Sequence, residues 1–296
     1  MTSFRSPKSQ AKHAVSQKIA LGKSRHDDRQ SGLIHSVGTA RNYSQSLAGF
    51  VRFLNENKLG DLARATATDA LAYLSVRSAE VKQSALDLDR QALQAHLCQK
   101  LERVKSDLVT ERGGRAYSSE QLAAIREHLT PRNALAVELC ERCGLRAHEV
   151  GTLRPAAEQA RSTHRAWRDD LHRGREGECF TVKGKGGLIR EIIVPTDLAA
   201  RVNQTRLDRP QARVDRMARV TQFYSLGQGQ ALSQAFSRAS LKVLGHSFGL
   251  HGTRYTFCQK QMERLQSSGY PVDSAKELVS QMCGHFRSDI VDVYLK

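Results

Sequence analysis

Six residues late in the chain have the types and spacing for phosphoryl transfer without a metal: Arg146, Lys185, His251, Arg254, His285 and Tyr294. A phosphodiester resists attack mainly because charge gathers on its oxygens in the transition state, and positioned cations or donors offset that charge. Arginine suits the task, since its planar fork matches two phosphate oxygens. Arg146 lies in Gly144-Leu145-Arg146-Ala147-His148-Glu149, just past a glycine break where free N–H groups also favour an anion. Glu149, three residues on, shares its helix face and could orient the guanidinium. His251-Gly252-Thr253-Arg254 puts an imidazole and a second guanidinium on one face. His285 follows Gly284 and can donate to a phosphate oxygen or accept a proton near neutrality. Lys185 stands between Gly184 and Gly186, where the backbone can pass close to a ligand and an ammonium can give up a proton as a general acid. Lys183, offset by two, is its nearest competitor. Tyr294 is the candidate nucleophile; a free phenol has a pKa of about 10, so it needs a base and positive charge nearby.

Each residue alone has an ordinary reading. Surface arginines abound in a chain with 46 Lys and Arg, hairpin lysines are commonly exposed, and single histidines or a tyrosine on a terminal helix are usually structural. The ordered set is far more specific. Gly-Leu-Arg-x-x-Glu, then Lys in Gly-Lys-Gly after a strand, then His-x-x-Arg, Gly-His and a Tyr nine residues on, resembles the tyrosine recombinase (phage integrase) family. The resemblance covers residues 118–296 well, and residues 31–112 only as a helical core-binding unit of the right size and place. It implies that Arg146, Arg254, His251 and His285 hold the scissile phosphate, that Lys185 protonates the departing 5′ oxygen, and that Tyr294 attacks. The product would be a 3′-phosphotyrosine ester and a free 5′ hydroxyl, from which ligation needs no ATP. It further implies double-stranded DNA as partner, a homo-tetramer on two DNA sites, accessory DNA-bending or directionality proteins, and the role of a mobile-element integrase. Departures from the family pattern are Gly252-Thr253 inside His-x-x-Arg and Met282-Cys283 before Gly284. Only Leu295 and Lys296 follow Tyr294, where many members carry a further helix that docks on a neighbouring protomer; either that contact is not expected or the chain has been shortened.

Composition points the same way. A formal charge of +16 and a pI of about 9.9 over 296 residues fit a polyanion partner, nucleic acid first among them. No run reaches the roughly 18 apolar residues of a membrane span, and the N-terminus lacks a signal-peptide core, so no membrane partner and a cytoplasmic location are expected. Cys140 and Cys143 have a zinc-like spacing but no second matching pair. The six thiols (Cys98, Cys140, Cys143, Cys179, Cys258 and Cys283) are expected to be reduced core residues, with no metal and no cofactor.

The elements that must position these groups read as follows. Residues 1–30 are basic and without apolar period, predicting a flexible arm. Helices follow from Ser36, from a Thr66/Asp69 cap, and from about 81 to 104, forming the helical core-binding domain over 31–112. Gly113-Gly114 predicts a hinge over 113–117, and Ser118 with Gln121 starts the catalytic domain over 118–296. Within it the patterns predict helices at 119–129 and 131–143, a restart through Glu149 to Leu153, and a β-hairpin from Cys179–Val182 and Ile189–Val194. Helix or loop is expected over 197–220, crowded with Arg201, Arg206, Arg209, Arg213, Arg216 and Arg219. Helices return at 232–244, 253–267 and 273–283, and Ser288 caps a last one. The fold class is therefore mainly α with a small β-sheet (α+β): a helical DNA-binding domain and a mixed catalytic domain, closing on duplex DNA through the hinge. Two other functions share parts of this pattern. A type IB topoisomerase uses the same chemistry without pairing sites, although His251 and the separate helical domain favour a recombinase. A non-catalytic DNA-binding protein on an integrase fold is opposed by the filling of all six positions.

Overall fold

A computed structural model describes residues 6–21, 32–109, 113–215 and 218–296, without the side chains of Lys185 and Ala218. The chain divides into two compact units, Met1–Glu111 and Arg112–Lys296.

The first unit is helical. α1 (Pro7–Ser16) is followed by α2 (Val37–Glu56), α3 (Ala67–Ser78) and α4 (Gln83–Leu97). Ser36 caps α2 by accepting from the Thr39 N–H, and Thr66 with Asp69 forms a reciprocal capping box on α3. Phe50, Val51, Leu54, Leu74, Leu86 and Leu93 fill the core. Burying such side chains stabilises the unit by about 1.5–3 kcal/mol each. Two expectations need correction. The arm holds α1, whose Ala11 and Val15 are buried in this same core; residues 1–5 and 22–31 lie outside the described part. A face of small residues gives little apolar signal, but Ser6 as cap and Pro7 at the first helical position were start signals. The third helix ends at Leu97 rather than near 104, because Cys98 takes a left-handed backbone with φ 54°.

The second unit opens on α5 (Ser119–Glu127), started by the Ser118/Gln121 capping box, and α6 (Pro131–Cys143), with proline at its first position. Tyr117 is no hinge residue: it is buried against Phe236 and Phe248, and its N–H donates to Thr256 Oγ1 at 3.0 Å. Gly144 ends α6 at φ 63°, and a Cβ there would lie 2.5 Å from the Phe257 ring, so glycine is required twice over. The expected helix restart is only a 3-10 turn at Val150–Thr152. β1 (Arg154–Pro155), β2 (Glu178–Lys183) and β3 (Ile189–Val194) make an antiparallel sheet, the last two forming the expected hairpin. α7 (Thr196–Asn203) leads into β4 (Arg206–Asp215) and β5 (Ala218–Tyr224), a two-stranded antiparallel ribbon where helix or loop was expected. Polar Gln222 at an inward position, bonded to the Leu226 carbonyl, breaks the apolar alternation that would have marked the strand. α8 (Gly229–Leu244), α9 (Gly252–Ser267), α10 (Val272–Met282) and the four-residue α11 (Val291–Tyr294) complete the unit. Ser288 opens a 3-10 turn before α11 but makes no side-chain cap.

Two apolar clusters build this unit. One joins α5, α6, the hairpin and α8 through Leu122, Leu139, Phe180, Val182, Ile192 and Phe236. The other joins α9, α10 and α11 through Phe257, Met262, Leu278, Val279, Val291 and Tyr294. The charged groups described next bridge elements of both.

Candidate active site

Glu149 is the hub. Its side chain is fully buried, yet it is ionised, because three guanidinium groups converge on it. Arg146 Nη1 donates to Oε1 at 2.7 Å, Arg190 Nη2 to Oε2 at 2.8 Å, and Arg254 Nη1 lies 3.9 Å from Oε2. The Arg146 N–H adds a fourth interaction at 2.9 Å. Burial alone would raise the Glu149 pKa; Arg190, Arg254 and Arg146 overcome it and hold the carboxyl well below its usual range.

The two guanidinium groups picked out from sequence are thus held differently. Arg254, on the first turn of α9, has no exposed surface; Nη1 donates to the Gly144 carbonyl at 2.6 Å and Nη2 to the Cys283 carbonyl. Its Nε is buried with no hydrogen-bond partner, beneath the Tyr294 ring. Arg146 keeps 23% of its side chain exposed, and its Nη2 lies 3.0 Å from His285 Nε2. His285 follows Gly284, whose φ of 70° turns the chain out of α10. His251 stands at the N-cap position of α9, one turn before Arg254, without a side-chain capping bond. Its ring centroid is 5.9 Å from that of Tyr294, and Arg254 Cζ is 6.0 Å from the Tyr294 ring. Five of the six residues therefore meet around one carboxylate. Lys185 lies in the turn between β2 and β3, and its side chain is outside the described residues. Its competitor Lys183 ends β2 with an exposed side chain.

Tyr294 is 5% exposed, and the Tyr255 ring meets it edge-on at 4.9 Å. Burial raises its pKa, opposed by Arg254. Burial first, then Arg254 and Arg146, depress His251 and His285 to about 4, so both imidazoles are neutral at pH 7. Since the folded pKa lies below the unfolded value of about 6.5, the unfolded chain binds more protons between those limits. Stability should therefore decline as pH falls from about 6.5 to 4, and half-buried His172, also depressed to about 4, adds to the decline. His251→Gln and His285→Gln should each flatten that decline in urea unfolding measured at stepped pH. An unchanged slope in both variants would contradict these protonation states.

Arg190 lies within the strand expected over Ile189–Val194, where its partner could not be read locally. It occupies an inward position of β3 beside Ile192 and Val194, is 1% exposed, and ties Glu149 to the Met282 carbonyl of α10 at 2.8 Å. An arginine in inward register of an apolar strand was the available signal of a buried ion pair. Cys140, Cys143, Cys258 and Cys283 are buried free thiols as expected, but Cys98 and Cys179 are exposed. Among the described residues no group of histidine, cysteine or acidic side chains could hold a metal, and no helix is long and apolar enough to cross a membrane.

No family model and no curated protein matches the chain. Solved structures do. The XerH site-specific recombinase bound to its palindromic difH substrate, a post-cleavage complex, superposes with a TM-score of 0.58 at 13% identity, covering 98% of this chain and 90% of that one. A lambda integrase dimer bound to a COC′ core site gives 0.56 at 15% identity, covering 92% and 75%. This chain has the tyrosine-recombinase fold. A lambda integrase tetramer bound to a Holliday junction gives 0.55 at 14% identity, covering 96% and 77%. At such identities the likeness establishes the fold, and the recombinase-type fold agrees with the α+β class read from the sequence.

Proposed function

We propose that this chain is a site-specific DNA recombinase that cuts and rejoins DNA through a covalent bond to Tyr294. The observation that carries the reading is the meeting of a candidate phenol nucleophile, two neutral imidazoles and two guanidinium groups around one buried carboxylate. Arg146 and, once Tyr294 moves aside, the unpartnered Nε of Arg254 would take the non-bridging oxygens of the scissile phosphate, with Glu149 fixing both side chains. Tyr294 Oη attacks phosphorus and the P–O5′ bond breaks. The phenol proton passes to a neutral imidazole, for which His251, its ring centroid 5.9 Å from that of Tyr294, is placed, and Lys185 supplies a proton to O5′. The ester at the 3′ phosphate keeps the bond energy, so attack by a 5′ hydroxyl reverses the step. Tyr294 leaves its apolar cover by movement of α11, which is one turn long and tied to α9 by Gln259 Nε2 donating to the Tyr294 carbonyl at 3.0 Å.

The fold likeness to recombinases solved on DNA, among them a lambda integrase tetramer on a Holliday junction, supports double-stranded DNA as substrate and four copies acting on two sites. A mobile element as source, and accessory DNA-bending or directionality proteins, belong to the same proposal. The test is to incubate the chain with DNA flanking its own gene and map the strands that are cut and rejoined. Joining of two sites is expected. Relaxation of supercoils with no joining would instead favour a topoisomerase, and no covalent adduct at all a non-catalytic DNA-binding protein.

A further inference from the structure

We propose that the β4–β5 ribbon is a second grip on the DNA backbone, beside the one at Arg146; the inference rests on the DNA reading above. Arg209 and Arg213 of β4 and Arg219 of β5 are exposed, and none forms an ion pair among the described residues. Arg206 at the ribbon's base differs: it is committed to Glu158 at 2.7 Å and to the Tyr224 hydroxyl at 3.1 Å. Of the ribbon's two acids, Asp208 is exposed, whereas Asp215 is engaged. Its Oδ1 accepts from the Gln230 N–H at 3.0 Å at the start of α8. One residue earlier, the Gly229 N–H donates to the Ala147 carbonyl at 2.8 Å. The Asp215 end of β4 is thereby joined, through the start of α8, to the segment that carries Arg146. At about 3.3 Å per residue, Arg209 and Arg213 stand at most about 13 Å apart, since the register shifts near Pro210 between them, and about 13 Å is the axial length of about four base pairs. On this proposal, a duplex whose phosphate is held at Arg146 would lay its neighbouring phosphates against the ribbon. Arg213 and Arg219 lie on opposite faces of the ribbon, since Arg213 pairs in register with Val220 and Val214 with Arg219. Such placement touches backbone phosphates rather than reading base edges from one face.

The test is salt-dependent binding of the full chain to a mixed-sequence duplex of about 30 base pairs. Neutralising the three arginines together, R209Q/R213Q/R219Q, is expected to lower the slope of log K against log salt by about 2–3, at about 0.9 for each phosphate no longer neutralised. Binding at about 0.2 M salt would weaken by roughly 30–100-fold on extrapolation from 1 M. The charge-retaining R209K/R213K/R219K should restore the slope, which separates the removal of charge from a misfolded ribbon. A control with the same net charge neutralises Arg201, Lys260 and Lys276, each held in an ion pair, and should leave the slope within about 0.9 of the native value, the worth of one phosphate. An unchanged slope in the ribbon variant, or an equal loss in the control, overturns the second grip alone. A native chain with no salt-dependent duplex binding overturns the DNA reading and the ribbon with it.

Discussion

Glu149→Gln is expected to cost about 3–5 kcal/mol of stability, read as a lower urea midpoint at unchanged m value. Glutamine keeps the shape of the side chain but not its charge. Arg190 and Arg254, respectively 1% and 0% exposed, would then be buried cations with no counter-ion. The rest of their bonds go to carbonyls, which cannot neutralise them. The effect should depend on pH with a definite sign. A carboxyl held below its unfolded pKa contributes stability that is fully present above about 4.5 and is lost as pH falls below it. The native chain should therefore converge toward the variant in acid. A loss under about 1 kcal/mol at pH 7 would show that the carboxylate is not what sustains the buried arginines.

Lys185→Ala should slow strand cleavage by about 10²–10⁴-fold, the usual worth of a general acid. The slowing should nearly vanish on a substrate whose leaving 5′ oxygen is replaced by sulfur, because a thiolate departs without needing a proton. Lys183→Ala should be slowed far less on the oxygen substrate, since Lys183 ends a strand two residues before the turn. If Lys185→Ala is equally slow on both substrates, the proton comes from elsewhere. If instead Lys183→Ala is the variant rescued by sulfur, the two lysines exchange roles.

The parts legible in the sequence were those with strong local signals. Capping boxes at Thr66 and Ser118 and the glycine that ends α6 placed helices almost to the residue. Alternating apolar residues around Gly184-Lys185-Gly186 marked the β2–β3 hairpin. Glu149 was legible as a partner of Arg146 through its spacing of three, and that pair forms at 2.7 Å. What could not be read was non-local. Arg190 reaches Glu149 across 41 residues, and nothing near it in sequence names its partner. The β4–β5 ribbon carries arginine and glutamine where strands usually carry valine or isoleucine, and Pro210 falls where its register shifts. The fold of α1 onto the first unit depends on small residues, which pack tightly but give little hydrophobic contrast.

The most direct measurement uses a nicked duplex from which the cleaved end diffuses away, so that a covalent protein–DNA adduct accumulates on a denaturing gel. The native chain and Tyr255→Phe, which alters the neighbouring phenol 4.9 Å from the nucleophile, should both give the adduct. Tyr294→Phe should bind the same duplex and give none. An adduct from Tyr294→Phe at the native level would contradict the assignment of Tyr294 as the residue that attacks DNA.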